Sequence, residues 1–289
     1  MVLWLKKMLE LPKKINLSAR SALFGNGVGL GTHLRAAVSA IRGSPGQVPS
    51  PASSGQRLKK EGSGSVRRRL RFALISAYLV NQFADPALAD ELLGDLLKIR
   101  DSIERKLRQN YHDRGIPFPD ESNYPGPKAK ESLLYLLVAS TRPSIMIETG
   151  VDQGVSSYFI LEALRRNGYG RLHSIDIGAT VSSGDSVGWL VPQHLRERWE
   201  LTLKPAEEAL PTMNEMVDIF LHDSLHTQEH MSFEFHWADG HLSPGGILCS
   251  DDIDINQAFM AFLQEHKDGY YPISTKIVGV ARKVYGGLS

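Results

Sequence analysis

The sequence predicts an α/β fold built on a doubly wound, mostly parallel sheet, and three observations carry that expectation. From Ser144 onward, short apolar runs alternate with stretches of helical spacing, the pattern of strands joined by crossover helices. Four of those runs end on acids: Glu148, Asp176, Asp223, and the pair Asp251 and Asp252. Ligands of open α/β sheets sit beyond the carboxyl ends of the strands, so acids collected there read as a site. Finally, the tail from Tyr271 to Val284 holds two extended stretches separated near Gly279. They predict an antiparallel pair at the edge of an otherwise parallel, Rossmann-like sheet.

The chain opens on a basic leader, residues 1–70, read as largely disordered. Residues 1–72 carry fourteen Lys or Arg against Glu10 and Glu61, net +12, while the remainder is net −11. Bulk charge therefore gives the body of the chain no attraction for nucleic acid, and none is expected as a partner. Residues 1–16 can form a short amphipathic helix with Trp4, Leu5, Met8 and Leu9 opposite the lysines, or a frayed tail. Gly43 to Val66 is Gly, Ser, Pro, Gln and basic residues with little to bury, hence a disordered linker. A solvated charge run is the favoured reading of the leader, with weak membrane-surface contact as the alternative. Cys249 is the single cysteine, so there is no intramolecular disulfide and no multi-thiolate zinc site. No apolar run reaches the roughly 20 residues of a spanning helix, and a cytoplasmic location is expected.

Residues 71–127 read as a helical extension. Apolar residues recur at helical spacing through Phe72, Ile75, Leu79 and Phe83. Asp85 and Pro86 then form an N-cap and first-turn pair for a long helix with Leu88, Leu92, Leu96, Ile99, Ile103 and Leu107 on one stripe. That stripe would pack on the catalytic domain or on a second subunit, a homodimer through residues 84–109. Tyr111 to Lys128 reads as a loop, and Glu131 to Ala139 as a helix that opens the domain at 128–289.

In that domain the strands are read at 144–148, 171–176, 199–203, 217–223 and 245–252, with helices at 154–166, to about 198, 205–212, 226–240 and 255–267. After the first strand comes ETGVDQGVSS, where Gly150 and Gly154 permit a tight turn before a helix whose early NH groups, near Ser156, face a ligand. Glu148 suits an ammonium group and repels a pyrophosphate, which disfavours a dinucleotide. Asp176 can accept hydrogen bonds from ribose hydroxyls, or simply cap its turn. Asp223, Asp251 and Asp252 would converge if their strands are neighbours. Hard oxygen ligands of that kind suit Mg²⁺, with His226 as general base or further ligand. The duller alternative makes these residues caps of the helices that follow them.

IETGVDQGVSS, HSID, DIFLHDSLHTQEH and LSPGGILCSDDI, in that order, resemble the class I S-adenosylmethionine-dependent methyltransferases. The resemblance is greatest to the branch holding methyltransferase family 24 and the macrocin-like and cephalosporin-biosynthesis-like O-methyltransferases. It implies that Glu148, Gly150, Gly154 and Ser156 hold the methionine part of S-adenosyl-L-methionine and Asp176 its ribose. Asp223 and His226 would form the D-x-x-H element, with Asp223 also touching the cofactor. Asp223, Asp251 and Asp252 would bind Mg²⁺ beside an acceptor hydroxyl. After the third strand, where relatives carry Gly-Asp-Ser or Gly-Asp-Ala, this chain has Lys204, Pro205, Ala206 and Glu207. The expected activity is O-methylation of a small hydroxylated acceptor, a sugar or a phenol. The alternatives are a metal-dependent hydroxylase-like or hydrolase-like enzyme on the same fold, and a non-catalytic binding module.

Overall fold

The computed structural model describes residues 55–85, 87–120, 123–275 and 278–284. The expectations for residues 1–54 lie outside them. The chain divides into two compact units whose boundary falls between Leu136 and Leu137, inside a helix.

The first unit is helical. Helix α1 runs Gly55–Phe83 and α2 runs Ala89–Asp113. The linker read up to Val66 is thus helical from Gly55. Gln56, Arg57, Leu58, Lys59, Lys60 and Glu61 are good helix formers, and two glycines at about 1 kcal/mol each do not stop a helix already nucleated by the apolar residues after them. Asp85 does not cap α2. Its carboxylate accepts the Ala87 amide at 2.9 Å, one turn intervenes, and α2 starts at Ala89 with no side-chain cap. Leu92, Leu96, Ile99, Ile103 and Leu107 are buried as the stripe predicts, while Leu88 is exposed. Glu104 accepts Arg108 Nη2 at 2.7 Å and the hydroxyl of Tyr124, which pins the Pro- and Gly-rich loop to α2. Burial and the Glu104 charge push the Tyr124 phenol well up.

The second unit, entered through α3 (Ala129–Thr141), is the α/β domain. Its strands are β1 Ile145–Thr149, β2 Arg171–Asp176, β3 Trp199–Leu203, β4 Val217–His222, β5 Leu242–Ser250, β6 Tyr270–Thr275 and β7 Gly279–Lys283. The helices are α4 Val155–Asn167, α5 Ala206–Ala209, α6 Gln228–His241 and α7 Ala258–Glu265. Among the described residues they form one seven-stranded sheet in the order β3-β2-β1-β4-β5-β7-β6. The first five strands pair in parallel and β7 runs antiparallel to both β5 and β6. On one face Ile147, Ile175, Phe220, Leu248 and Ala281 form a core with Met231 and Phe235 of α6 and Phe259 and Phe262 of α7. Alternation sends Glu148 to the other face, while Thr149 and His222 share the α6 face. No helix among the described residues is long and apolar enough to cross a membrane.

Candidate active site

The strand order turns back on itself between β1 and β4, which makes their carboxyl ends the topological switch point of the sheet. Register places Thr149 beside both Ile175 and His222, and His222 beside Ser250. The next residue on each strand is therefore Asp176, Gly150, Asp223 and Asp251, one row across β2, β1, β4 and β5. Backbone bonds tie the row together: Gly150 N to Ile175 O at 2.9 Å, Asp223 N to Thr149 O at 2.9 Å, and Asp251 N to His222 O at 2.9 Å. With adjacent strands about 4.8 Å apart, Asp176 and Asp223 flank the glycine turn on either side.

Inside this row several residues have tasks that the sequence reading did not assign them. Glu148 is fully buried, and its oxygens accept Ser156 Oγ at 2.5 Å, Ser157 Oγ at 2.6 Å and Ser174 Oγ at 2.8 Å. The carboxylate and the Ser156 hydroxyl meet each other. They fasten the first turn of α4 to β1 and β2, because residue 148 faces α4. Gly150 has φ +79°, and a Cβ there would collide with the carbonyl of Asp223. Gly154 has φ +89°, and its Cβ would lie 2.9 Å from Gly188 Cα. Both glycines thus allow protein backbone to approach: β4's end at Gly150, and at Gly154 the segment before β3. That segment also gives Gly188 N to Asp152 O at 2.8 Å and Leu190 N to Gln153 O at 3.1 Å. Asp176 holds the turn as well, accepting Val151 N at 2.9 Å, Asp152 N at 3.1 Å and Gly178 N at 3.1 Å. Its cap role is real, and its half-buried carboxylate still stands on the rim of the crevice.

Asp223 and His226 are not helix caps. Thr227 is the N-cap of α6, its hydroxyl accepting the His230 amide, and α7 begins only at Ala258, with Asn256 Oδ1 accepting the Ala258 amide at 2.8 Å. Asp223 is left on the rim, half-buried, with His226 beyond it on the same loop. The proposed Mg²⁺ ligands are not gathered. Among the described residues, Asp223, Asp251 and Asp252 do not place three ligand atoms within 4.8 Å of one another. The reason is local: Asp252 takes a left-handed backbone, φ +48°, which turns the chain after β5 and leaves its side chain 52% exposed. Its carboxylate lies 4.0 Å from His226 Nε2 instead. These residues as placed do not fit a metal centre.

Residues 147–253 match a family model described as a methyltransferase domain, Methyltransf_24. The match spans the turn after β1, the acid after β2, the D-x-x-H loop and β5, the segments that form the row. By that match, this part of the chain is similar to methyltransferase domains. Solved structures that align with it include the O-methyltransferase TomG from Streptomyces achromogenes involved in Tomaymycin synthesis, in complex with SAM. It is 17% identical over 64% of this chain and 90% of that chain, with a TM-score of 0.48. An O-methyltransferase from Bacillus cereus in complex with SAH is 16% identical over 64% and 90%, TM-score 0.46. CmcI with Mg and SAM is 19% identical over 53% and 70%, TM-score 0.43. No curated protein matches the chain.

The α/β domain also holds a buried network that sequence reading missed. Glu234 of α6 has no exposure. Its Oε2 accepts Thr149 Oγ1 at 2.6 Å and His222 Nδ1 at 2.6 Å, and its Oε1 accepts Ser224 Oγ at 2.8 Å and His230 Nε2 at 2.8 Å. One carboxylate thereby binds the end of β1, the end of β4, the loop after β4 and helix α6. Burial opposes its ionisation, but the bonds from His222 and His230 outweigh that and hold its pKa well below the usual carboxylate range. His230 faces a carboxylate through each nitrogen, Glu234 and, at 2.8 Å, Glu207. A carboxylate on each nitrogen favours the doubly protonated ring. The hydrogen bond to Glu234 raises its pKa against the cost of burial. Glu207, in the segment that departs from the family's adenine motif, is a partner of His230 here. The sequence signal was the pair His230 and Glu234, one helical turn apart.

Proposed function

We propose that this chain O-methylates a small hydroxylated acceptor, with S-adenosyl-L-methionine as donor. The observation that carries the reading is the row at the switch point, where half-buried Asp176 and Asp223 flank the glycine turn within the segment that matches the methyltransferase model. Two carboxylates on the rim suit a ligand that is cationic and rich in hydroxyls. Asp176 accepts one amide on Oδ1 and two on Oδ2, so lone-pair capacity remains on Oδ1 for a ribose hydroxyl. In this reading Asp223 and the backbone of the turn receive the amino-acid part.

The donor, when bound, supplies an electrophilic methyl on a sulfonium, and the acceptor oxygen forms its bond to carbon as the carbon–sulfur pair returns to sulfur. What the chain must add is alignment and a destination for the acceptor's proton. Asp223 and His226, half-buried on the loop after β4, are the groups we assign to that task. Glu234 holds the loop between them by way of Ser224, and Glu148 holds the helix start on the other face. Removal of the hydroxyl proton as the oxygen attacks is worth about 10²–10⁴-fold when a positioned base takes it.

The test is transfer of tritiated methyl from the donor to a panel of phenols and sugars by the purified full chain. O-methylated product is expected, with Asp223→Asn and His226→Ala each lowering kcat by at least about 10²-fold. A donor that binds while none of these acceptors is labelled, or label found only on nitrogen or carbon, would overturn the proposed chemistry.

A further inference from the structure

We propose a zinc site at the solvent-facing junction of α6 and α7, formed by His236, Glu265 and His266. The ligand atoms of these three residues lie within 4.8 Å of one another. They belong to the face that carries Phe259 and Phe262, apart from the row of strand ends, and the inference is independent of the methyl-transfer reading.

The geometry decides which nitrogens are available. His236 Nδ1 lies 2.6 Å from Ser232 O and His266 Nδ1 lies 3.0 Å from Phe262 O, each carbonyl one turn earlier on the same helix. A carbonyl oxygen only accepts, so both Nδ1 atoms carry protons. Each Nε2 is then the nitrogen left to face other groups. Those nitrogens face carboxylates: His236 Nε2 is 3.3 Å from Glu265 Oε2, and His266 Nε2 is 3.6 Å from Asp239 Oδ2. A proton or a metal ion placed between such a nitrogen and a carboxylate oxygen would bind both. Ligating histidines are oriented in this way, one nitrogen anchored to a backbone carbonyl and the other turned to the metal.

The rings are also braced. Phe262 stacks on His266 with centroids 4.3 Å apart and meets His236 edge-on at 5.8 Å. Asp239 keeps Oδ2 toward His266, while its Oδ1 accepts Tyr270 Oη at 3.0 Å and faces Lys283 Nζ at 3.3 Å. Two imidazole nitrogens with one carboxylate select zinc over magnesium or calcium, which take oxygen shells. Ligands in a tetrahedral zinc shell are about 3.4 Å apart, so metal uptake would draw these side chains, which lie at the protein surface, closer together. Such an ion would clasp α6, which carries Glu234 on its buried face, to the end of α7.

The experiment is calorimetric titration of Zn²⁺ into the tag-free full chain in saturating Mg²⁺, with melting followed in parallel. Wild type is expected to bind zinc and to melt at higher temperature with it. The double variant His236→Ala/His266→Ala should lose both effects, and Glu265→Gln should weaken the site more than tenfold. Asp223→Asn should retain it, which separates the site from the crevice. Co²⁺ in place of zinc should give visible ligand-field bands in wild type that the double variant lacks. Zinc uptake and melting unchanged in a folded double variant, or in Glu265→Gln should the double variant not fold, would overturn the proposal and leave a cluster held by protons alone.

Discussion

Replacing Glu234 with Gln isolates what holds the two halves of the row together. Glu234 accepts four side-chain donors on two oxygens, from Thr149, His222, Ser224 and His230. An amide of the same size offers one accepting oxygen and turns two hydrogens toward donors. His230 in addition loses its buried counter-charge. Breaking a buried ion pair by removing one partner costs about 3–5 kcal/mol, a large share of the roughly 5–15 kcal/mol that keeps a domain folded. At about 2–4 °C per kcal/mol for a unit of this size, Tm should fall by roughly 6–20 °C. The pH dependence gives a second readout with a defined sign. Glu234's pKa is depressed on folding, so its contribution is present above its unfolded value of 4.5 and lost as pH falls toward its folded value of about 2. His230's is raised from 6.5, so its contribution is complete below 6.5 and fades as pH climbs through the raised value. Thermal melts of wild type and Glu234→Gln from pH 2 to 9 check both. A loss below about 1 kcal/mol, or superimposable pH profiles, would refute the claim that this carboxylate ties β1, β4 and α6 together.

Other substitutions reach the remaining parts of the row. Gly150→Ala must place a Cβ against the Asp223 carbonyl at φ +79°; denaturant melts should show a loss of at least about 2 kcal/mol, with binding of S-adenosylhomocysteine weakened beyond tenfold. Glu148→Ala leaves three serine hydroxyls without their acceptor, and should cost about 3 kcal/mol in the same melts. Chelation tests the spread of Asp223, Asp251 and Asp252: methyl transfer should survive exhaustive EDTA, and activity that vanishes and returns with Mg²⁺ would contradict the placement of those three side chains.

Much of the sheet was legible in the sequence, because apolar runs bounded by acids and glycines have few alternative readings. The runs at 171–176 and 199–203 are β2 and β3 as read, and the antiparallel tail is β6 and β7. What the sequence withheld was the face. Glu148 lies between Ile147 and Thr149, and nothing local says that it turns toward α4, where three serines close around it. The same ambiguity hid Glu234, which reads as one more polar residue on α6 until Thr149 and His222 are known to face it. The glycines were legible as a turn but not in their purpose, since Gly188 meets Gly154 from a segment 34 residues later. Asp252 failed for a backbone reason: adjacent acids after β5 look like a ligand pair, and a left-handed turn separates them.

The most direct measurement of the central claim is calorimetric titration of S-adenosylhomocysteine into wild type and Asp176→Ala. If rim carboxylates at the switch point hold the donor, wild type binds one equivalent and the substitution weakens binding at least tenfold while the fold persists. Equal affinity in the two proteins, or no binding to either, would contradict it.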